Sequence, residues 1–168
     1  MPDPAELIDV ARLLLGSTAS PPTQAQLRRA ASTAYYAVFH KVLRSAAGRF
    51  TGTGQEHSGA YLTLYRSFVH SQMKQICEDL AKSNLPQKVK WSLRRDVVSQ
   101  GTRDFAASFP ALQEIRELAD YDPTVGPWNA SNIADVIDLA ETAIEAFDRI
   151  PQDEQSDILA LLMVRARA

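Results

Sequence analysis

Three histidines, five tyrosines and one cysteine hold most of the side chains in this chain with acid–base, nucleophilic or metal-binding potential. Their densest gathering is Leu27-Arg28-Arg29-Ala30-Ala31-Ser32-Thr33-Ala34-Tyr35-Tyr36-Ala37-Val38-Phe39-His40. At helical spacing Arg29, Thr33, Tyr36 and His40 fall on one narrow stripe, with Ser32 at its edge. Leu27, Ala31, Val38 and Val42 lie opposite, and Ala30, Ala34 and Ala37 admit close approach by another helix. Such a stripe is either an internal network, in which hydroxyl and imidazole groups satisfy one another, or the wall of a ligand site. Residue chemistry alone weighs toward the network.

A second constellation is basic. Lys82, Lys88, Lys90, Arg94 and Arg95 surround Trp91. Cations around an indole suit a phosphate backbone with a stacked base. The plainer account is a solvated connection that Trp91 anchors to the rest of the protein. Arg66, His70 and Cys77 share a helix edge, but a metal site needs three or four ligands and no fourth candidate is near in sequence. His57 sits among glycines without the phosphate-loop lysine, so Gly52 and Gly54 carry little weight as a nucleotide cradle. No metal and no cofactor are expected.

The elements that must position these groups read as helices nearly throughout. Asp3-Pro4-Ala5-Glu6 is an N-cap with proline at the first helical position, opening a helix that Gly16 ends. Residues 17–23 form a loop. An alanine-rich helix covers residues 24–47 and stops at Gly48. A third covers residues 60–82, with Tyr61, Leu62, Tyr65, Phe68, Val69, Met73, Ile76 and Leu80 on one face. Residues 87–101 read as a short helix or an ordered loop. A fourth helix covers residues 102–120, kinked or restarted at Pro110. Asp122-Pro123, Gly126-Pro127 and Asn129 connect it to a fifth, whose stripe is Ile133, Val136, Ile137, Ala140, Ile144 and Phe147. Beyond Pro151 an apolar helix covers residues 153–167, free to pack on its own chain or on another. The expected fold is an all-α, antiparallel bundle of four to five helices with an extra C-terminal helix: one domain over residues 1–168, with a core at about 5–150 and an extension at 151–168.

Bulk composition limits function. The chain has 168 residues, 45% hydrophobic and 23% charged, which suits a globular protein with a real core. A net charge of -2 excludes a general polyanion binder, so any RNA contact has to be local. With one cysteine, Cys77, no intrachain disulfide forms. The opening residues lack a secretory pattern and no apolar run reaches membrane-spanning length, so a cytoplasmic protein without membrane contact is expected.

The run from Leu27 to His40, with its leucine-arginine-arginine-alanine, tyrosine-tyrosine-alanine and phenylalanine-histidine elements, resembles the corresponding helix of HEPN-domain proteins. Arg116-Glu117-Leu118-Ala119-Asp120-Tyr121-Asp122-Pro123 is similar to a later element of one bacterial branch of that family. The resemblance covers about residues 5–150. It implies a four- or five-helix bundle that pairs as a homodimer. The family includes ribonucleases of toxin–antitoxin and defence systems as well as non-catalytic RNA- or nucleotide-binding modules. Many small members are encoded beside a nucleotidyltransferase-like protein, which the resemblance therefore offers as a partner.

The catalytic members share an arginine followed, four to six residues later, by a histidine. Here Arg116 is present, but Tyr121 stands where the histidine belongs. A tyrosine, ordinarily ionising near pH ~10, is a poor general base at neutral pH. A structural clamp is the more economical expectation, with Arg116, Asp120 and Tyr121 bonded to the Tyr36/His40 stripe. The binding set implied is Arg29, Ser32, Tyr36, His40, Arg116, Asp120 and Tyr121. A divergent endoribonuclease would instead use Arg116 with Tyr121 or His40, and a third reading is a partner-binding structural protein without nucleic-acid contact.

Overall fold

A computed structural model describes residues 2–16, 20–124 and 126–163. Eight helices and no strand occur among them: α1 Pro4–Leu14, α2 Gln24–Thr51, α3 Gly59–Tyr65, α4 His70–Leu80, α5 Gln87–Leu93, α6 Gln100–Tyr121, α7 Ala130–Asp148 and α8 Gln152–Met163. The fold is an all-α helical bundle, as the hydrophobic period requires.

Local caps set several boundaries. Asp3 accepts the Ala5 N–H at 2.9 Å ahead of Pro4, and α1 buries Ile8 and Ala11. Thr23 and Gln26 form a reciprocal capping box that starts α2. Asn129 caps α7, whose apolar stripe faces the core through Ile133, Ile137, Ala140 and Phe147.

Side-chain ties give the helix directions. Ser32 and Arg28, early in α2, meet Asp120 and Asp122 at the end of α6, so these two helices run antiparallel. Gly101 at the start of α6 abuts Ala146 and Arg149 at the end of α7, so this pair is antiparallel as well. Gln24 pairs with the Trp128 backbone and Lys41 with Asp148, so α2 and α7 run side by side in one direction. Arg44 late in α2 holds Asp3 at 2.7 Å, which sets α1 antiparallel to α2.

Helix α2 is central and touches α1, α3, α6, α7 and α8. Its alanines at 30, 31, 34, 37, 46 and 47 are all buried, and this lets neighbours close in around it. Along its middle, α2 is buried on most sides, and Tyr36, His40 and Lys41 are only partly exposed.

Four boundary expectations are corrected. Helix α2 continues through Gly48 and ends at Gly52, whose φ of +90° supplies the turn. An interior glycine costs only about 1 kcal/mol, which packing overrides. The expected single helix at 60–82 is two, α3 and α4. Ser67 Oγ donates to the Leu64 carbonyl at 2.7 Å and Val69 is extended, so a local side-chain bond competes with the helical ladder. Pro110 does not restart α6, whose flanking Phe105, Phe109 and Leu112 are fully buried. Gly101 is no break but part of α6. A Cβ there would lie 2.9 Å from the Ala146 carbonyl oxygen.

The segment 87–101 resolves into α5, an extended stretch, and Ser99 as the N-cap of α6. Helix α8 packs on its own chain: Ile158, Leu159 and Leu162 are buried. Its Glu154, 4% exposed, accepts the Ser99 N–H at 2.9 Å, the Ser99 hydroxyl at 2.8 Å and the Thr102 hydroxyl. Arg95 closes this cluster through Asp157 at 2.8 Å and Asp153 at 3.2 Å. A carboxylate at a helix N-terminus also meets the positive end of the helix dipole. Residues 164–168 of the expected C-terminal helix lie outside the described residues, as do 17–19 of the first loop and 125 of the connection before α7.

Gly101→Ala is expected to destabilise the protein by about 1–3 kcal/mol, read from urea unfolding, because the added methyl meets backbone rather than a movable side chain. Glu154→Ala should cost on the order of 3 kcal/mol by the same measurement, since it strands an N–H and two hydroxyls at a buried helix start. An unchanged midpoint in either variant would contradict the packing described.

Candidate functional site

The stripe of α2 and the last turns of α6 meet through Arg116. Its Nη2 donates to Tyr36 Oη at 2.7 Å and to Tyr121 Oη at 3.3 Å. Its Nε lies 2.9 Å from Asp120 Oδ2, an ion pair in which the N–H is not aimed at the carboxylate. Asp120 in turn accepts from Ser32 Oγ at 3.2 Å. The guanidinium also stands 5.9 Å from the ring centre of Tyr35, 5.4 Å from that of Tyr36 and 5.1 Å from that of Tyr121. Arg116, Asp120 and Ser32 are thus tied within the bundle, while Tyr121 is 70% exposed on its outer side.

Arg28 is the residue that sequence reasoning passed over. Its Nη1 donates to the carbonyls of Leu118, Ala119 and Asp122 at 3.3, 3.1 and 2.9 Å, closing the C-terminal end of α6. A basic residue near orphan carbonyls is a known pattern, but no spacing within one helix announces a partner 90 residues away.

His40 departs from the expected clamp. It makes no bond to Arg116, Asp120 or Tyr121; its Nδ1 lies 2.5 Å from Tyr65 Oη on α3, with the rings stacked. His70, read from sequence as a helix-border residue, is its counterpart: Nδ1 lies 2.6 Å from Tyr35 Oη and the ring stacks on Phe39 at 4.1 Å. Burial raises the pKa of both Tyr35 and Tyr65, so each phenol stays protonated beside its histidine. Burial, then the charge of Arg44, lowers the pKa of His40; burial, then Arg116, lowers that of His70. Each imidazole is thus tied through Nδ1 to a phenol, in an environment that favours the neutral ring. With Nδ1 tied to Tyr65, Nε2 is the His40 ring nitrogen left for a ligand.

Part of the stripe does face solvent. Leu7 of α1 with Arg29, Thr33, Tyr36 and His40 of α2 lines a pocket of about 280 Å³. Thr33 Oγ1 donates to the Arg29 carbonyl at 2.7 Å, while the exposed Arg29 guanidinium bonds no described residue. A larger groove of about 720 Å³ between α1, α2 and α7 contains Lys41 and Arg44, but both are paired, with Asp148 and Asp3. A third hollow, beside Tyr121, is rimmed by Glu114, Glu117 and Asp122 and so repels anions. Charge, more than size, singles out the small pocket.

The basic constellation separates into two parts. Arg95 is held by the acids of α8, and Lys90 lies 3.6 Å from Asp96. Lys88, Trp91 and Arg94 remain exposed, and Trp91, at 68% exposure, does not anchor the segment as the plainer account expects. Cys77 is buried, and burial pushes its thiol pKa up, away from reactivity. Among the described residues no cluster of histidine, cysteine or carboxylate side chains suits a metal ion, and no helix is long and apolar enough to cross a membrane.

No family model, curated protein or solved structure matches this chain.

The two histidines set a pH dependence. The unfolded chain protonates each ring near pH 6.5, whereas the folded protein holds both pKa values lower. The unfolded state thus binds more protons below that point; stability is full above pH 6.5 and falls as the pH drops toward the folded values. Melting temperatures between about pH 7.5 and 5 should fall on acidification, and less steeply in His70→Gln, which keeps an acceptor for Tyr35. Equal slopes in the two proteins would show that His70 is not buried as a neutral ring.

Proposed function

We propose that this chain is a HEPN-like, non-catalytic binding protein that holds a phosphate-bearing ligand, RNA or a nucleotide, in the pocket of Arg29, Thr33, Tyr36 and His40. The observation that carries this reading is the supply of unspent donors around that pocket. Arg29 has no described partner for its guanidinium. Tyr36 Oη accepts from Arg116, so its own proton is free to donate. His40 is tied to Tyr65 at Nδ1, and we assign it the tautomer that offers Nε2–H. At about 280 Å³ the pocket fits one phosphate with the edge of its sugar rather than a whole drug-sized ligand. A local donor cluster of this kind also suits a chain whose net charge is -2.

The family resemblance of the Tyr35-Tyr36 and Arg116–Pro123 elements extends the reading to a homodimer working beside a nucleotidyltransferase-like protein in a toxin–antitoxin or defence-type system. Ribonuclease chemistry is not part of the proposal. Arg116 is committed to Tyr36, Asp120 and Tyr121, and His40 makes no bond to it.

Anisotropy of a labelled short RNA, with gel analysis of the same mixtures, tests the reading. Arg29→Ala touches no tertiary bond and should weaken binding roughly 10- to 100-fold, the worth of a charge-assisted contact. Equal affinity in Arg29→Ala would move the ligand elsewhere. RNA cleavage that disappears in both Arg116→Ala and His40→Ala would replace binding by catalysis.

A further inference from the structure

We infer that the exposed end of α5 is a second site, a stacking platform for an unpaired base of single-stranded nucleic acid, made by Trp91, Arg94 and Lys88. The inference is independent of the pocket on α2, because it rests on an element that contributes nothing to that pocket.

Three observations carry it. Trp91 is 68% exposed, the largest apolar side chain left so open among the described residues. Neither burial nor a bond from its indole explains its presence. Arg94 is the one described non-glycine residue with positive φ, at φ 54° and ψ 35°. It sits where α5 ends, with its N–H and that of Arg95 both returning to the Lys90 carbonyl. Glycine makes this left-handed turn without the crowding that any Cβ brings. An arginine there adds strain to the backbone and offers only its side chain in return. That side chain stands with its guanidinium 5.4 Å from the Trp91 ring centre and pairs with no acid among the described residues. Lys88, one turn earlier on the same helix, is likewise exposed and unpaired among the described residues.

The arrangement is a flat π-face with a cation held against it and a second cation one turn away. Stacking needs a planar partner with its face open, which a base in a duplex does not offer. The two free cations then meet the flanking phosphates. The acids of α8 are already occupied by Arg95, and Asp96 lies beside Lys90, so Lys88 and Arg94 keep their charge available.

The full chain should be titrated with a short oligouridylate while tryptophan emission and thermal melting are recorded. Wild type should bind with quenching of the indole. Trp91→Ala should lose the quenching and weaken binding roughly 5- to 100-fold, the usual worth of one stacked base. Arg94→Gly separates function from strain: it should melt at the same or a higher temperature and still bind less tightly. Affinity unchanged in Trp91→Ala, or lost only in Arg29→Ala, would overturn the platform while leaving the α2 pocket standing. Binding of polyglutamate in preference to oligouridylate would overturn it in favour of an acidic protein partner.

Discussion

A helix enclosed by neighbours along most of its middle has to satisfy its buried polar side chains from them, and α2 is in that position. Its hydroxyl and imidazole groups have little bulk water to fall back on, so each becomes a tie to a particular element. Tyr35 holds His70 of α4, Tyr36 holds Arg116 of α6, Ser32 holds Asp120, and His40 holds Tyr65 of α3. An unpaired buried polar group costs more than a paired one contributes, so these ties act as a register for the bundle as much as a source of stability. The alanines of the same helix permit the close approach that makes the bonds reachable. Removing one tie strands its partner as well.

The same constraint sorts the cations. Arg28, Arg44, Arg95 and Arg116 are engaged on carbonyls, carboxylates or phenols and belong to the scaffold. Arg29, Lys88 and Arg94 have no such employment among the described residues. A protein of slightly acidic net charge exerts no long-range attraction on a polyanion, and what remains is the placement of these few unspent charges beside hydroxyl or aromatic groups. Arginines adjacent in sequence thus take opposite roles: Arg28 and Arg29 because one residue turns a side chain by about a quarter of a helical circle or more, and Arg94 and Arg95 because the chain turns at the left-handed Arg94.

Much of the scaffold was legible before any coordinates. Asp3-Pro4, the apolar stripe of α7 and the Gly16 stop are local signals, and the stripe of Arg29, Thr33, Tyr36 and His40 is a matter of helical period. The Arg116 clamp with Tyr36 was legible as chemistry, since a phenol on the stripe and a guanidinium beside Asp120 offer one another a hydrogen bond. What was not legible depends on distant partners. Gly48 looks like a stop in sequence, yet the turn residue is Gly52, and Gly101, read as the end of a short helix or loop, lies in α6 against the backbone of α7. His40 and His70 were assigned to other company, because their phenol partners lie 25 and 35 residues away across a break that hydrophobic period alone does not register. Glu154, in a short apolar helix, gave no sign that it would sit against the start of α6.

That last contact bears on the order in which the chain becomes protein. Glu154 follows Ser99 by 55 residues, so a growing polypeptide presents the start of α6 to solvent long before the carboxylate that closes it has been made. Phe109 meets Tyr35 of α2 and Phe105 meets Phe147 of α7 without help from α8, whereas the first turn of α6 and the segment carrying Arg95 rest on it. Without α8, the start of α6 and Arg95 lack the carboxylates that hold them, and an N–H and two hydroxyls are left without an acceptor.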